Sequence, residues 1–279
     1  MWFTLFKFRV WLINAASLVP LEIYYMYELD TMKTPNVAVI ILAAGLGTRM
    51  KSNLAKVLHP ILGKPMISYV LETAYAVAQD NVVVVVGHQA DEVKRVCSLT
   101  PGIGFALQET QLGTGHAVLC AMPQLAHNVE DVIILCGDVP LLKAATVRRL
   151  LDEHRENKRI LSLLAVVVDQ PRGYGRVIMD DRRNLTRIVE EADATTDEKK
   201  VNLINSGIYC VNRRFLEASL ARITPDNAQG EFYLTDIIGI GYADNQKIGV
   251  MVGDDDLEVS GVNSMVDLKF VETTIKKMT

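Results

Sequence analysis

Val37-Ala38-Val39-Ile40-Ile41, followed by Leu42-Ala43-Ala44-Gly45-Leu46-Gly47-Thr48-Arg49-Met50, is the stretch that decides the fold. The β-branched apolar run reads as a strand buried on both faces, as in a parallel sheet. The small residues behind it let the backbone come close to a ligand. Gly45 and Gly47 can both take positive φ, which would turn successive N–H groups toward one point. Arg49 adds a planar cationic fork suited to phosphate oxygens, and Lys56 follows with a second positive charge. A strand, a glycine-rich loop and two cations make a polyphosphate cradle. The two glycines alone fit equally well a plain strand-to-helix turn with solvated cations.

Two familiar phosphate loops are excluded by spacing. A dinucleotide fingerprint needs Gly-x-Gly-x-x-Gly/Ala, but Met50 stands at the third position. The next strand, Val82 to Val86, ends in Gly87-His88 with no carboxylate for a ribose. A P-loop needs Gly-x-x-x-x-Gly-Lys-Ser/Thr. Here Gly63-Lys64 runs into Pro65, and Leu58 occupies the place of the first glycine.

The bulk properties narrow the class. The chain has 279 residues, 22% charged and 49% hydrophobic, a composition that folds into a sizeable core. A net charge of -4 argues against a nucleic-acid partner, whose binding face would be basic. The four cysteines, Cys97, Cys120, Cys136 and Cys210, form no Cys-x-x-Cys pair and have apolar neighbours, which predicts buried reduced thiols in a cytoplasmic protein.

Residues 1–35 stand apart. Lys7 and Arg9 precede an apolar region in the manner of a signal peptide. Asn14, Ser17, Pro20 and Glu22 interrupt it and make it a poor transmembrane helix. The favoured reading is a loosely ordered upstream extension, and a membrane-associating helix is the less favoured one.

Along the rest of the chain, strands and helices alternate. Strands are predicted at Val37–Ile41, Val82–Val86, Gly104–Leu107, Val132–Cys136 and Ile160–Val168. Helices are predicted from Pro65 (as the first helical residue) to Gln79, and over Ala90–Cys97, Gly113–Ala121 and Lys143–Glu156. That alternation implies an α/β, Rossmann-like doubly wound sheet. After Pro171 the pattern changes to short strands at Arg176–Met179 and Leu185–Val189, then a strand at Leu203–Cys210. Helices at Phe215–Arg222 and Phe232–Tyr242, a strand at Ile248–Val252 and a helix at Ser264–Lys277 complete it. A mixed sheet with an insertion follows. The expected division is into residues 36–170, residues 171–263 and a C-terminal helix (264–279).

The loop string, continued to Lys56, matches LxxGxGTRxxxxxxK and resembles the signature of sugar-nucleotide pyrophosphorylases. Later motifs make the chain similar to the uridyltransferase half of the bifunctional N-acetylglucosamine-1-phosphate uridyltransferase/glucosamine-1-phosphate acetyltransferase family. The resemblance runs from Val37 to the C-terminus. It implies the nucleotide-diphospho-sugar transferase fold and Mg2+-dependent uridylyl transfer from UTP to N-acetylglucosamine 1-phosphate. The products would be pyrophosphate and UDP-N-acetylglucosamine, a peptidoglycan precursor. No hexapeptide repeat is present, so the acetyltransferase β-helix of these relatives is expected to be absent. A monomer or weak oligomer is expected with it.

The resemblance also assigns residues. Arg49 and Lys56 would stabilise transferring phosphate, with Leu42, Ala43, Ala44, Gly45 and Lys56 as loop contacts. In Gln108-Glu109-Thr110-Gln111-Leu112-Gly113-Thr114-Gly115-His116, the residues Gln108, Gly113 and Thr114 would contact uridine. A Gln amide can meet one donor and one acceptor of uracil together, and Gly113 would let the backbone approach the base. Thr114 as a helix N-cap is the plain alternative, and His116 is read as a buried helix residue. Cys136-Gly137-Asp138 ends a strand where ligands gather. Asp138 and Asn263 are the implied Mg2+ ligands, with Asn263 also a candidate cap of the last helix. Gly175, Glu190 and Asn205 would hold the sugar; the plain alternatives are an ordinary turn, a solvated strand end and a satisfied edge residue. Two departures from the family pattern stand out. Leu46 fills a place often held by Lys, and Ala55 one where Pro is common, which would loosen Lys56.

Overall fold

The computed structural model describes residues 36–278, and the expectations for residues 1–35 lie outside the described residues. β1 (Val37–Leu42) leads through the glycine-rich loop to a small hairpin, β2 (Pro60–Ile61) and β3 (Lys64–Pro65). Then come α1 (Met66–Ala78), β4 (Val82–Val86), α2 (Ala90–Cys97), β5 (Ile103–Leu107), α3 (Thr114–Ala121), β6 (Asp131–Cys136), α4 (Ala144–Glu156) and β7 (Leu161–Val167). The second part adds β8 (Arg176–Met179), β9 (Leu185–Val189), β10 (Leu203–Asn212), α5 (Arg213–Leu220), α6 (Asp236–Ala243), β11 (Ile248–Val252) and α7 (Met265–Met278).

The main sheet has the order β11-β7-β10-β6-β1-β4-β5, with β8 and β9 branching from β10. β1 pairs in parallel with both β4 and β6, while β10 runs antiparallel to β6 and β7. The expected mixed α/β sheet is therefore present. From β1 the chain winds outward to β4 and β5, then returns to β6 on the other side of β1. Loops leaving the carboxyl ends of β1 and β6 thus part in opposite directions and open a crevice there, the usual ligand position in such a sheet.

The alternation along β1 builds two apolar layers. Val37, Val39 and Ile41 pack with α1, α2 and α4; Ala38 and Ile40 face the side of α3, α5 and α6. A third cluster places Met50 and Ile61 against Val262, Leu268 and Val271. It pins the loop after β1 to α7.

Several elements differ from expectation, each for a local reason. Pro65 belongs to β3 and is the N-cap of α1, not its first residue. The β2–β3 hairpin was not foreseen; it turns on Leu62 and Gly63, both with positive φ. Phe232 is not helical, because its N–H donates to the Leu112 carbonyl and its own carbonyl accepts from Gly115, both at 2.8 Å. α5 starts early because the Asn212 side chain accepts from the Arg214 and Phe215 amides. All four cysteines are free, but only Cys97 and Cys210 are buried, whereas Cys120 and Cys136 are half-buried. No helix among the described residues is long and apolar enough to cross a membrane.

Candidate active site

The glycine-rich loop meets the crevice with one left-handed residue. Gly47 has φ of 62°, while Gly45 is not among the positive-φ glycines, so the expectation for Gly45 fails. A Cβ on Gly47 would stand 2.6 Å from the Lys56 Cβ, so this glycine lets the Lys56 segment lie against the loop. A Cβ on Gly45 would meet nothing within 4 Å; the space beside it is open. Leu42 is half-buried, Ala43 and Ala44 are buried, and the Ala43 amide is committed to the Val85 carbonyl at 3.0 Å.

Four side chains converge at the mouth of β1 and β6. The Lys56 Nζ lies 2.5 Å from Asp138 Oδ2 and 3.2 Å from Asn263 Oδ1. Arg49 donates from Nη2 to the same Asn263 oxygen at 2.8 Å. The Val262 amide donates to the Asp138 carbonyl at 2.9 Å, which staples the two ligand-bearing segments together. Asn263 does not cap α7. Ser264 and Asp267 cap it reciprocally, the Asp267 amide donating to Ser264 Oγ while Asp267 Oδ2 accepts from the Ser264 and Asn263 amides. The Asn263 carbonyl oxygen is thereby left for cations. Ala55 has not loosened Lys56: the Gln89 side chain holds the preceding loop through the Ala55 amide and the Asn53 carbonyl.

This donor set fits a hard divalent cation. One carboxylate and one amide oxygen already share a single positively charged atom, and both are ligands of the type Mg2+ takes. No cluster of three or more His, Cys, Asp or Glu suited to a metal occurs among the described residues.

On the base side, Gln108 is only 3% exposed. Its Nε2 lies 3.0 Å from the Gly113 carbonyl and 3.0 Å from His116 Nδ1. Both amide hydrogens are thus taken, and the expectation that Gln108 offers a donor and an acceptor together is corrected to an acceptor alone. Gly113 has φ of 109°, and a Cβ there would lie 2.7 Å from the Phe232 carbonyl oxygen. The protein's own backbone therefore demands this glycine. Thr114 is not the N-cap of α3, a place held by Gly113; its hydroxyl accepts from the Leu234 amide at 3.0 Å.

On the sugar side, a Cβ on Gly175 would come within 3.2 Å of both Glu190 carboxylate oxygens. Glu190 is no solvated strand end: burial raises its carboxyl above the ordinary range, and the nearby Asp193 and Asp236 carboxylates add to the rise. Asn205 lies in the interior strand β10 rather than at an edge. Its Oδ1 accepts from the Gly207 amide (2.9 Å) and the Tyr209 hydroxyl (3.0 Å), which leaves Nδ2 as its donor. Its amide donates to the Gly175 carbonyl at 2.9 Å. Gly207, at φ of 77°, sits where a Cβ would be 2.7 Å from Cys136 Sγ. Burial pushes the Cys136 thiol up to about 12, so it is inert as a nucleophile. Gly137 allows the ends of β1 and β6 to meet, since a Cβ would approach the Leu42 carbonyl to 2.9 Å.

Four participants gave no signal by spacing: Gln89, Tyr174, Tyr209 and Phe232. Tyr174 is raised in pKa by burial, then by Asp267 and Asp138, and its hydroxyl reaches the Gly261 backbone beside Asn263. Only three-dimensional proximity reveals these roles.

A mixed sheet with a glycine-loop crevice, two cations and a paired carboxylate and amide defines a nucleotidyltransferase. Residues 39–206 match the MobA-like NTP transferase domain. The chain is 45% identical over 240 residues to the bifunctional protein GlmU of Trichlorobacter lovleyi, covering 86% of this chain and 52% of that protein. It is 44% identical over 246 residues to GlmU of Desulfotalea psychrophila, covering 88% and 72%. A Bacillus anthracis structure presented as a glucose-1-phosphate thymidylyltransferase, in complex with sucrose, superposes with a TM-score of 0.68 at 19% identity. It covers 85% of this chain and 94% of that one. The chain belongs to the MobA-like NTP transferase domain family, and within it to the group of the GlmU proteins. It spans about half the length of most of the curated relatives it matches. The family resemblance read from the motifs is borne out.

Proposed function

We propose that the chain transfers a uridylyl group from UTP to N-acetylglucosamine 1-phosphate, with Mg2+, giving UDP-N-acetylglucosamine and pyrophosphate. The observation that carries the reading is the convergence of Lys56 and Arg49 on Asp138 and Asn263, at the mouth of β1 and β6. An oxygen of the sugar phosphate attacks the α-phosphorus of UTP in line, and the bond to the bridging oxygen of the β-phosphate breaks. The sugar phosphate is ionised at neutral pH, so no general base is required. No covalent intermediate with the protein is required either.

Lys56 and Arg49 supply positive charge where it develops on the transferring and departing phosphates. Asp138 and Asn263 would hold Mg2+, which neutralises phosphate charge and orients it for displacement. Lys56 then exchanges its carboxylate partner for phosphate oxygens. Asn205 Nδ2 and the Glu190 carboxylate face sugar hydroxyls and orient the acceptor.

The same proposal divides the described chain into nucleotide-binding residues 36–170, sugar-binding residues 171–263 and the helix that follows. It places the reaction in the cytoplasm. Pyrophosphate release with UTP, Mg2+ and N-acetylglucosamine 1-phosphate tests the activity, with dTTP and glucose 1-phosphate as competing substrates. Turnover confined to another pair of substrates would overturn the assignment, and UDP-sugar binding without pyrophosphate release would make the chain a sensor.

A further inference from the structure

The hydrogen bonds around Gln108 fix which of its atoms a ligand can meet. The Gly113 carbonyl can only accept, so one hydrogen of the Gln108 Nε2 points at it across 3.0 Å. The second hydrogen points at His116 Nδ1, also at 3.0 Å, which makes Nδ1 the unprotonated ring nitrogen. The ring proton then resides on Nε2, where Cys120 Sγ lies at 3.8 Å as a weak acceptor. One tautomer satisfies every contact in the chain from Cys120 to Gly113. What remains is the Gln108 Oε1, which has no hydrogen-bond partner among the described residues.

We infer that His116 is a positioning residue for base selection: it locks the Gln108 amide with its oxygen toward the nucleotide, so that the site prefers uracil to cytosine. The inference rests on the uridylyl-transfer reading. Uracil carries a hydrogen on N3, which an amide oxygen accepts. Cytosine carries a lone pair on N3, which the same oxygen repels. A site that offers only an acceptor discriminates between the two without touching either base with a charge. His116 is placed for this by α3, one turn from Gly113, whose carbonyl also accepts from the Ala117 amide at 3.1 Å. That second bond anchors the carbonyl against which the amide is oriented.

The test compares kcat/KM for UTP and CTP in the native chain, His116→Leu and His116→Asn. Leucine removes the acceptor, whereas the Asn oxygen can stand in for Nδ1. The UTP-to-CTP ratio should fall about 5- to 10-fold in His116→Leu, the worth of one hydrogen bond, through loss of UTP efficiency. It should stay near native in His116→Asn, and KM for N-acetylglucosamine 1-phosphate should not move in either. A folded His116→Leu protein with an unchanged ratio overturns the inference and leaves the proposed function standing. A native chain that uses UTP and CTP equally does the same. A native chain that turns over no UTP overturns the proposed function and the inference together. Should His116→Leu not fold, the imidazole 15N shifts of the native protein decide: a proton on Nε2 supports the assignment and a proton on Nδ1 overturns it.

Discussion

At the scale of single residues, Lys56 occupies the point on which the two implied metal ligands converge. An ammonium group is held there by an anion and an amide oxygen, so any divalent cation must displace it toward the phosphates. Asp138→Asn keeps the volume but replaces one accepting oxygen by an amide donor and removes the negative charge. Pyrophosphate release should fall about 100- to 1000-fold, in line with the loss of one group aimed at transition-state charge. The thermal midpoint should change little, and raising Mg2+ should not restore the rate. Near-native turnover at low Mg2+ would return Asp138 to the status of a turn residue.

Glu190 carries the opposite balance of function and stability. Its carboxyl is raised by burial, so the folded state holds that proton more tightly than the unfolded chain does. The associated stability is fully present below the unfolded carboxyl range and is lost as pH rises through the folded value. Glu190→Gln removes the buried charge. Its melting temperature should exceed that of the native protein above the raised carboxyl range, and the gap should close as pH falls through the ordinary carboxyl range to about 4. KM for the sugar phosphate should rise at the same time, while KM for UTP stays level. A stability gap independent of pH would mean that Glu190 carries no such strain.

At the scale of elements, the loop before Lys56 shows how a departure from the family pattern is absorbed. Gln89, itself left-handed at φ of 52°, accepts from the Ala55 amide and donates to the Asn53 carbonyl, both at 2.7 Å. A proline at position 55 would lack that amide. The hydrogen bond thus does for Ala55 what ring rigidity does for proline. Gln89→Ala should lower kcat/KM about 10-fold by freeing Lys56, at a cost of about 1–2 kcal/mol for the two lost bonds. Adding Ala55→Pro should recover part of the activity, since Ala55 has φ of -53°, a value proline adopts. Ala55→Pro alone should bring no gain. Recovery failing in the double variant, with the fold intact, would show that Gln89 acts elsewhere. Most strands of the main sheet were legible in the sequence as largely apolar segments bounded by turn residues, and β4 and β9 match to the residue, whereas the two-residue strands β2 and β3 are too short to leave a pattern. Phe232 was not, since its backbone partners lie in the distant Leu112–Gly115 loop. Nor was the release of Asn263 from capping duty, which depends on Asp267 reaching back two ways. Motif spacing located the site residues, but it did not reveal which atoms of each were already in use.

At the scale of the whole molecule, β10 joins the two parts of the crevice. It pairs with β6, whose end carries Asp138, and it carries Asn205, whose amide meets Gly175. A ligand that fills both parts should therefore bind only the folded arrangement and stabilise it by mass action. At about 100 times its Kd, UDP-N-acetylglucosamine should add about 2.7 kcal/mol. For a domain of this size that corresponds to a rise in melting temperature of about 5–10 °C. On the proposed reading, UTP with Mg2+ would contact the nucleotide part and the metal ligands, but not Asn205. Asn205→Ala removes the free Nδ2 donor together with the oxygen that holds the Gly207 amide and the Tyr209 hydroxyl. Its melting temperature without ligand should fall, so each ligand effect is read as a shift from that variant's own baseline. The shift given by UDP-N-acetylglucosamine at a fixed concentration should shrink severalfold, while the shift given by UTP with Mg2+ should match that of the native protein. If both shifts shrink alike, β10 serves the nucleotide part as well, and the division of the crevice into a nucleotide side and a sugar side does not hold.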